Sequence, residues 1–197
     1  MVKFYKSFYT HQHDFSTFSV AYFLRYPNPY AKHVISVDTL DRYVDEQGRL
    51  HTHRLVIKRG KLPKWSQVLL ASSGINISES LILETSIIDP KNQIILAETK
   101  NIDFTRIMRV VETSTFRGAL AADQKTPVVK AFTTVSFLSS FGFGSVKERL
   151  ESWGQSKMSE NLARSQKGMA FVMDRLREQG GKIKAFQHAM QREIEPL

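Results

Sequence analysis

Residues 142–176 read GFGSVKERLESWGQSKMSENLARSQKGMAFVMDRL, and this stretch decides the fold. Apolar side chains recur there at intervals of three, four and seven residues, the spacing that forms a stripe along an α-helix. Two such stripes are present: Val146, Leu150 and Trp153, then Leu162, Met169, Val172, Met173 and Leu176. The pattern predicts one long amphipathic helix from Gly142 to about Gln191.

The two stripes do not line up on a straight helix, so we expect a bend between them, near Gly154 or Gly168. Gly180 and Gly181 weaken the same helix farther along the chain. A single helix of this length cannot bury its apolar stripe alone and needs a broad partner surface. We expect the chain before Gly142 to supply that surface.

Most of the chain before residue 142 alternates apolar and polar side chains, as β-strands do. Asp14 is a suitable N-cap for a helix over residues 15–24, and Pro27 stops that helix. The predicted strands cover residues 2–10, 33–43, 50–58, 75–88, 93–102, 107–116 and 126–138. Because most connections are short, we predict an α+β fold, a curved seven-stranded antiparallel sheet with the long C-terminal helix across it. These layers would enclose an elongated space, and periodicity leaves open whether side chains fill it.

The composition is that of an ordinary globular domain with an excess of positive charge. The 197 residues fit one domain, of which 42% are apolar and 24% charged. No apolar run approaches the roughly 20 residues of a transmembrane helix. Residues 1–10 resemble neither a signal peptide nor a mitochondrial presequence. The formal net charge of +9 favours an anionic partner: nucleic acid, an acidic protein or an anionic lipid surface.

Signatures of catalysis and of metal binding are missing from the sequence. It contains no cysteine, P-loop, HExxH, GxSxG or dinucleotide-binding glycine pattern, and no nucleic-acid-binding motif. His11 and His13 share a strand face, as do His51 and His53, but neither pair has a convincing third metal ligand. We interpret all four as surface histidines. We expect no enzyme activity, metal, cofactor or nucleic-acid partner.

A series of short motifs runs along the chain in a fixed order. It begins with RYPNPY at residues 25–30 and HVISVD at 33–38, and continues with Arg54-Leu55 and KRGKLPKW at 58–65. It ends with ESW at 151–153, EN at 160–161 and KGMAF at 167–171. Together these motifs resemble the PRELI-like family of mitochondrial lipid-transfer proteins, most closely its fungal phosphatidic-acid-carrying branch. The resemblance assigns residues 1–176 to a PRELI-like domain and leaves residues 177–197 as its C-terminal helical extension.

The resemblance implies a START-like lipid cavity enclosed between the sheet and the helices. It implies that the protein carries phosphatidic acid from the outer to the inner mitochondrial membrane, where this lipid feeds cardiolipin synthesis. It also implies residence in the intermembrane space, peripheral to the inner membrane, with transient contact to anionic membrane surfaces. The implied obligate partner is a small helical-hairpin protein with twin Cys-x9-Cys motifs. A sister branch carries phosphatidylserine, and that alternative stays open.

The head-group residues that the resemblance implies are mostly cationic: Arg25, His33, Lys58, Lys61, Arg149, Lys157 and Asn161. Cationic donors offset the desolvation of a phosphomonoester, and an arginine can bind two of its oxygens. The loop that answers to the family's lid runs from Leu62 to Ser73. Its apolar and basic side chains suit contact with an anionic bilayer: Leu62, Pro63, Lys64, Trp65, Val68, Leu69 and Leu70.

Two other function classes stay open on the sequence alone. The same architecture serves small-molecule hydrolases and cyclases, which a buried histidine paired with Asp or Glu in the cavity would favour. A cavity too small for acyl chains would favour a non-transferring interaction module. For a carrier, we expect apolar strand residues to line the cavity: Leu81, Leu83, Ile95, Val111 and Val135.

Overall fold

The computed structural model confirms the predicted sheet and the long C-terminal helix. It describes residues 3–59, 78–140 and 144–194, with side chains described as far as residue 180. The strands are β1 (Lys3–His11), β2 (Val34–Val44), β3 (Leu50–Arg59), β4 (Glu79–Asp89), β5 (Ile94–Asn101), β6 (Arg109–Leu120) and β7 (Pro127–Leu138). The helices are α1 (Phe15–Leu24) and α2 (Gly144–Ile194). Over these described residues, neither helix is long and apolar enough to cross a bilayer.

The sheet is an antiparallel meander to which the first strand is added at the far end. The strand order is β1-β7-β6-β5-β4-β3-β2, so β1 and β2 form opposite edges. β1 pairs with β7 from Lys3 opposite Phe137 to His11 opposite Val129. α1 therefore lies in the connection between the two edges, and it packs on β7 and α2. We call the sheet face toward the two helices the inner face.

β6 continues beyond the predicted end at residue 116, through Gly118 to Leu120. A Cβ atom at Gly118 would lie 2.3 Å from Oε1 of Gln93, so the side chain of Gln93 occupies the space above the glycine. The backbone N–H of Gly118 also donates to the Gln93 carbonyl at 2.9 Å. Gly118 therefore lies inside β6 and permits a close contact there, whereas the sequence predicted that the strand ends before it.

The apolar core is divided into two clusters that lie toward opposite ends of the strands. The first cluster joins α1, the sheet and the later turns of α2: Phe15, Phe18, Ala21, Tyr22, Ile88, Ile95, Val129, Met169 and Met173. The second joins the sheet to earlier turns of α2: Met108, Val135, Phe137 and Met158. α2 bridges the two clusters, and the space between them is the cavity described below.

The divided core explains the two stripes of α2. Gly154 and Met158 are buried and connect the first stripe to Leu162, although neither was counted as part of a stripe. Between Leu162 and Met169 the inner side of the helix carries Ser165 and Gln166, which line the cavity. The helix assignment is continuous through Gly154 and Gly168, so a bend is not needed to account for the pattern.

Gly154 allows close packing of α2 on β7, and we expect Gly154→Ala to lower the free energy of unfolding by about 1–3 kcal/mol. A Cβ atom there would lie 2.8 Å from Cδ1 of Phe137, which is fully packed in the second cluster. Gly180→Ala is the matched control, because its Cβ would meet nothing within 4 Å. The control should gain up to about 1 kcal/mol from helix propensity. Urea denaturation measures both; equal effects would contradict the close contact.

Candidate functional site

A cavity of about 440 Å³ lies between the inner face of the sheet and α2. This volume is within the usual range for small-molecule binding sites. Apolar side chains of α2 form one wall: Trp153, Met158, Leu162 and Met169. The side chain of Phe18 from α1 and those of Ile107 and Met108 from the β5–β6 connection contribute further apolar surface.

The wall that the sheet contributes is largely polar. It includes the side chains of Ser80, Glu84, Thr99, Glu112, Ser114 and Thr133. Four strands place residues directly opposite one another across the sheet: Arg54, Glu84, Thr99 and Glu112. Residues opposite each other in an antiparallel sheet share a face, so these four form a polar row on the inner face. We call them the charged row.

The five strand residues predicted to line the cavity do not line it. Other apolar strand residues take their place: Val56, Ile82, Ala97, Val110, Phe116 and Ala131. Leu81, Leu83 and Val111 alternate with the lining residues of their strands and therefore face the outer side. Ile95 and Val135 face inward, but each is fully buried in one of the two clusters. The prediction assumed that apolar strand residues face inward, but apolar side chains lie on both faces of β4 and β6, and the inner face of these strands also carries polar residues.

Two arginines share one buried carboxylate at the cavity wall. Arg54 donates from Nε to Oε1 of Glu84 at 2.9 Å, and Arg25 pairs with Oε2 of the same side chain. Glu84 is only 2% exposed. Arg25 also donates to the Tyr22 carbonyl, and its guanidinium lies 4.1 Å from the centre of the Tyr22 ring. The network holds two cations and one anion, so it carries a net positive charge.

The pKa values of this network keep it ionised at neutral pH. Burial opposes ionisation of Glu84, but the guanidinium groups of Arg25 and Arg54 outweigh it and lower the pKa of that carboxyl. Burial likewise opposes the charge on Arg25, but Glu84 outweighs it and raises the pKa of Arg25. The network therefore keeps its net positive charge at neutral pH.

The loop after α1 fixes the backbone of Arg25 against α2. The Asn28 side chain accepts from the Tyr30 N–H at 2.8 Å and donates to the Arg25 carbonyl. Gly168 of α2 lies directly over Asn28: a Cβ there would come within 2.9 Å of its side-chain amide. The RYPNPY and KGMAF motifs therefore meet in the fold, and the missing side chain at Gly168 permits that approach.

Lys58 in β3 lies next to His33, the residue before the start of β2. The Arg59 N–H donates to the His33 carbonyl at 2.7 Å, and Lys58 pairs with Val34 in the sheet register. Burial lowers the pKa of His33, and the charges of Lys58 and Arg164 lower it further. The His33 imidazole is therefore neutral at pH 7 and offers a neutral N–H as a donor.

The structure brings four of the seven predicted head-group residues together around the cavity: Arg25, His33, Lys58 and Asn161. It does not bring in Arg149, which lines a separate surface pocket with Ser145, Glu148 and Ser152. Nor does it bring in Lys157, whose exposed side chain pairs with Glu160 at 3.0 Å. Arg149 and Lys157 are each four residues from Trp153, which places them near the inner side of α2. At the edge of that side, long side chains extend away from the cavity.

Lys61 and the predicted lid from Leu62 to Ser73 lie outside the described residues.

Arg54, Glu84 and Glu112 were missed as site residues. Arg54 belongs to one of the family motifs, whereas neither glutamate lies in a motif. The available signal was a charged residue inside an apolar strand, as in Leu81-Ile82-Leu83-Glu84. A buried charge without a partner is costly, so such a residue predicts a buried ion pair or a polar cavity.

The interpretation of the four histidines as surface residues is wrong for the first pair. His11 and His13 are buried, and burial, aided by the charge of His13, lowers the pKa of His11 to about 4. His51 contacts Asp45 at 2.8 Å, and His53 contacts Thr85 at 3.3 Å. In the described ranges, 3–59, 78–140 and 144–194, no group of three or more potential ligands could hold a metal ion.

Comparison with solved structures supports the predicted START-like fold. TTHA0849 from Thermus thermophilus superimposes with a TM-score of 0.56 at 13% identity, covering 87% of this chain and 97% of that one. The Zhui aromatase/cyclase from a Streptomyces species gives 0.56 at 9% identity, covering 89% and 95%. At these identities the likeness establishes the fold alone.

Comparison of sequences identifies the family. The PRELI-like family model matches residues 16–179. Protein UPS1, mitochondrial, of Saccharomyces cerevisiae is 41% identical over 178 residues, which cover 90% of this chain and 97% of that protein. The ups1 homolog of Schizosaccharomyces pombe is 41% identical over 160 residues, covering 81% and 88%. Human PRELI domain-containing protein 1, mitochondrial, is 31% identical over 157 residues, covering 79% and 68%. The chain therefore belongs to the PRELI-like family.

Proposed function

We propose that this chain is a mitochondrial lipid-transfer protein that carries phosphatidic acid between the outer and inner membranes and so supports cardiolipin synthesis. Membership of the family and relatives named as mitochondrial support this proposal. The observation that carries it is the charge of the cavity wall. Arg25 and Lys58 line it with Glu84, whose carboxylate is shared between Arg25 and the buried Arg54 and therefore compensates only part of the positive charge.

The need for such a cavity follows from the solubility of the cargo. A phospholipid exposes about thirty methylene groups, each worth ~0.8 kcal/mol, so more than roughly 20 kcal/mol opposes its transfer into water. A carrier must therefore cover the chains with apolar groups. Trp153, Met158, Leu162 and Met169 of α2 provide such a wall.

The polar end of the cavity suits a phosphomonoester. Lys58 offers a compact charge, Arg25 a planar set of donors, and His33 and Asn161 neutral donors. Charge-assisted hydrogen bonds of this kind are the strong ones, and they strengthen where water is excluded. In the proposed function these groups bind the head group and release it unchanged.

A hydrolase or cyclase would be favoured by a histidine paired with a carboxylate on the cavity wall. Among the described residues, the close histidine–carboxylate pairs are His13 with Asp174 and His51 with Asp45. Neither pair lines the cavity. The described walls therefore support the carrier more than the enzyme.

Phosphatidylserine is the second candidate cargo, and one residue favours it. Its head group carries an ammonium group, for which a carboxylate on the cavity wall is a suitable partner. Glu112 lines the cavity and is not a member of the Arg25–Glu84–Arg54 network. The protonation of this residue therefore bears on the choice between the two lipids.

We further propose that the protein resides in the intermembrane space and pairs there with a helical-hairpin protein on the outer face of the sheet. One cross-strand line of that face is mostly apolar or aromatic: Phe8, Phe132, Thr115, Leu96, Ile87, His51 and Tyr43. Phe8 is 78% exposed, and its ring lies 4.6 Å from that of Phe132. Exposed basic residues flank this end of the line, so an acidic partner fits it best: Lys6, Arg117 and Lys130.

We expect Phe8→Ser to weaken partner binding at least about tenfold, because an exposed aromatic anchor is removed from the interface. Titration calorimetry of the folded chain with the purified partner measures the effect. Val20→Ser is the matched control, because Val20 is 47% exposed but lies on α1. Equal affinities for the two variants would place the partner elsewhere.

Transfer between vesicles tests the proposed function. The partnered complex would move fluorescent phosphatidic acid, phosphatidylserine or phosphatidylcholine from donor to acceptor liposomes. We expect selective transfer of phosphatidic acid. Preferential transfer of phosphatidylserine would assign the protein to the sister branch. If a folded, partnered protein transferred none of the three lipids, the carrier function would be contradicted.

A further inference from the structure

One carboxyl group of the cavity wall lies outside the arginine network. Glu112 of β6 lies in the charged row, two strands from Glu84, with Thr99 between them. Adjacent strands are about 4.8 Å apart, so the backbones of the two glutamates are separated by roughly 10 Å. Glu112 therefore faces the same space as Arg25 and Lys58, at a different point of the wall.

The surroundings of the two glutamates differ. Glu84 accepts hydrogen bonds from both arginines, whereas for Glu112 no ion pair is found within the described part of the chain. The charged groups that act on Glu112 are Lys58 of β3, Arg25 after α1 and Glu84 of β4.

Other titratable groups influence the charge of Glu112 indirectly, because they contact Glu84 or Lys58. Arg54 pairs with Glu84, while Tyr26 and His33 lie close to Lys58. From α2, Arg164 acts on His33.

These surroundings favour the protonated carboxyl. Burial raises the pKa of Glu112, and this effect together with the charge of Glu84 exceeds the opposing effects of Lys58, Arg25 and the Ser114 hydroxyl. An anionic phosphate beside it would raise the pKa further. A protonated carboxyl is a donor, and an ionised one only an acceptor.

We propose that Glu112 selects the head group: protonated, it donates a hydrogen bond to a phosphomonoester; ionised, it repels that group and favours one bearing ammonium. This inference rests on the proposed carrier function and adds a specificity-determining residue to it. Where Glu112 is ionised in the empty cavity, binding of phosphatidic acid takes up one proton from solvent. Affinity for phosphatidic acid is then highest at low pH and falls as the pH rises through the titration of Glu112.

Glu112→Gln keeps a donor of similar shape and removes the titration. The affinity of the partnered complex for short-chain phosphatidic acid would be measured from about pH 5.5 to about pH 8.5, with Glu98→Gln as control. Glu98 is a half-exposed glutamate of β5 that does not line the cavity and pairs with Lys100 at 3.1 Å. Because the phosphate itself titrates near pH 6, the informative quantity is the affinity of the variant relative to wild type at each pH.

We expect this ratio to be near one at the acidic end and to rise to about tenfold at the alkaline end. For phosphatidylserine, Glu112→Gln should bind more weakly than wild type. A ratio that does not change with pH, or weaker binding of phosphatidic acid by Glu112→Gln throughout, would overturn the inference. If wild type binds no phosphatidic acid at any pH, the proposed function itself fails.

Ser114→Ala provides a second test that leaves the carboxyl in place. The Ser114 hydroxyl holds the pKa of Glu112 down, so its removal should extend phosphatidic acid binding to higher pH. An unchanged pH profile, or a shift to lower pH, would contradict the role of Glu112.

Discussion

Lys58→Ala is expected to lower the affinity of the partnered complex for phosphatidic acid by about 10- to 100-fold. Lys58 lies at the end of β3 and lines the cavity beside His33. A hydrogen bond to a charged group contributes about 1.5–3 kcal/mol, and each ~1.4 kcal/mol is a factor of ten in affinity. Binding of a fluorescent phosphatidic acid, measured by titration, gives the ratio of dissociation constants directly.

Lys125→Ala is the matched control for Lys58→Ala. It removes the same charge from the exposed connection between β6 and β7, away from the cavity. We expect its affinity to equal that of wild type. If both variants lose the same affinity, Lys58 contributes only general surface charge. If neither variant loses affinity, Lys58 is not part of the head-group site.

Glu84→Gln is expected to lower the free energy of unfolding by about 3–5 kcal/mol, the cost of leaving buried charges without their counter-ion. Arg25 and Arg54 would then face each other across a neutral side chain, with Glu84 itself only 2% exposed in wild type. Urea denaturation at pH 7 measures the loss. Glu98→Gln should cost no more than about 1 kcal/mol, because its pair with Lys100 is 44% exposed on both sides.

The effect of Glu84 on stability should depend on pH in a definite direction. The folded-state pKa of Glu84 is lowered below its unfolded value, so its contribution is fully present above the unfolded pKa. It is lost as the pH falls through the lower, folded-state pKa. The stability difference between wild type and Glu84→Gln should therefore be constant near neutral pH and shrink in acid. A difference that grows in acid would contradict the ionised state of Glu84.

Local signals in the sequence predicted the regular elements well. The helix over residues 15–24 was placed at both ends, because Asp14 caps its first turn and Pro27 follows its last. The short connection between the strands predicted at 33–43 and 50–58 is confirmed, and Gly48 in it has a φ of +75°. Signals of this kind act over a few residues, so they are readable in a single sequence.

The sequence predicted the pairing of distant strands and the direction of their side chains less well. The pairing of β1 with β7 joins residues more than a hundred positions apart, and no turn between them fixes that register. The direction in which strand residues face was predicted wrongly for Leu81, Leu83 and Val111. Their neighbours Ile82 and Val110 are apolar too, so alternation could not distinguish the two faces.

The candidate site was predictable only in part. The family motifs pointed to Arg25, His33, Lys58 and Asn161, which the structure gathers around one cavity. They did not reveal that Glu84 already holds Arg25 and Arg54, because a buried ion pair depends on separate strands and a loop meeting in space.

The carrier proposal is tested most directly by identifying the lipid that occupies the cavity. The complex with its partner would be incubated with vesicles containing equal amounts of phosphatidic acid, phosphatidylserine and phosphatidylcholine, then isolated and weighed by native mass spectrometry. We expect one phosphatidic acid per complex in wild type and strongly reduced occupancy in Lys58→Ala. A folded, partnered complex that leaves the vesicles without lipid, or with phosphatidylcholine as its main cargo, would contradict it.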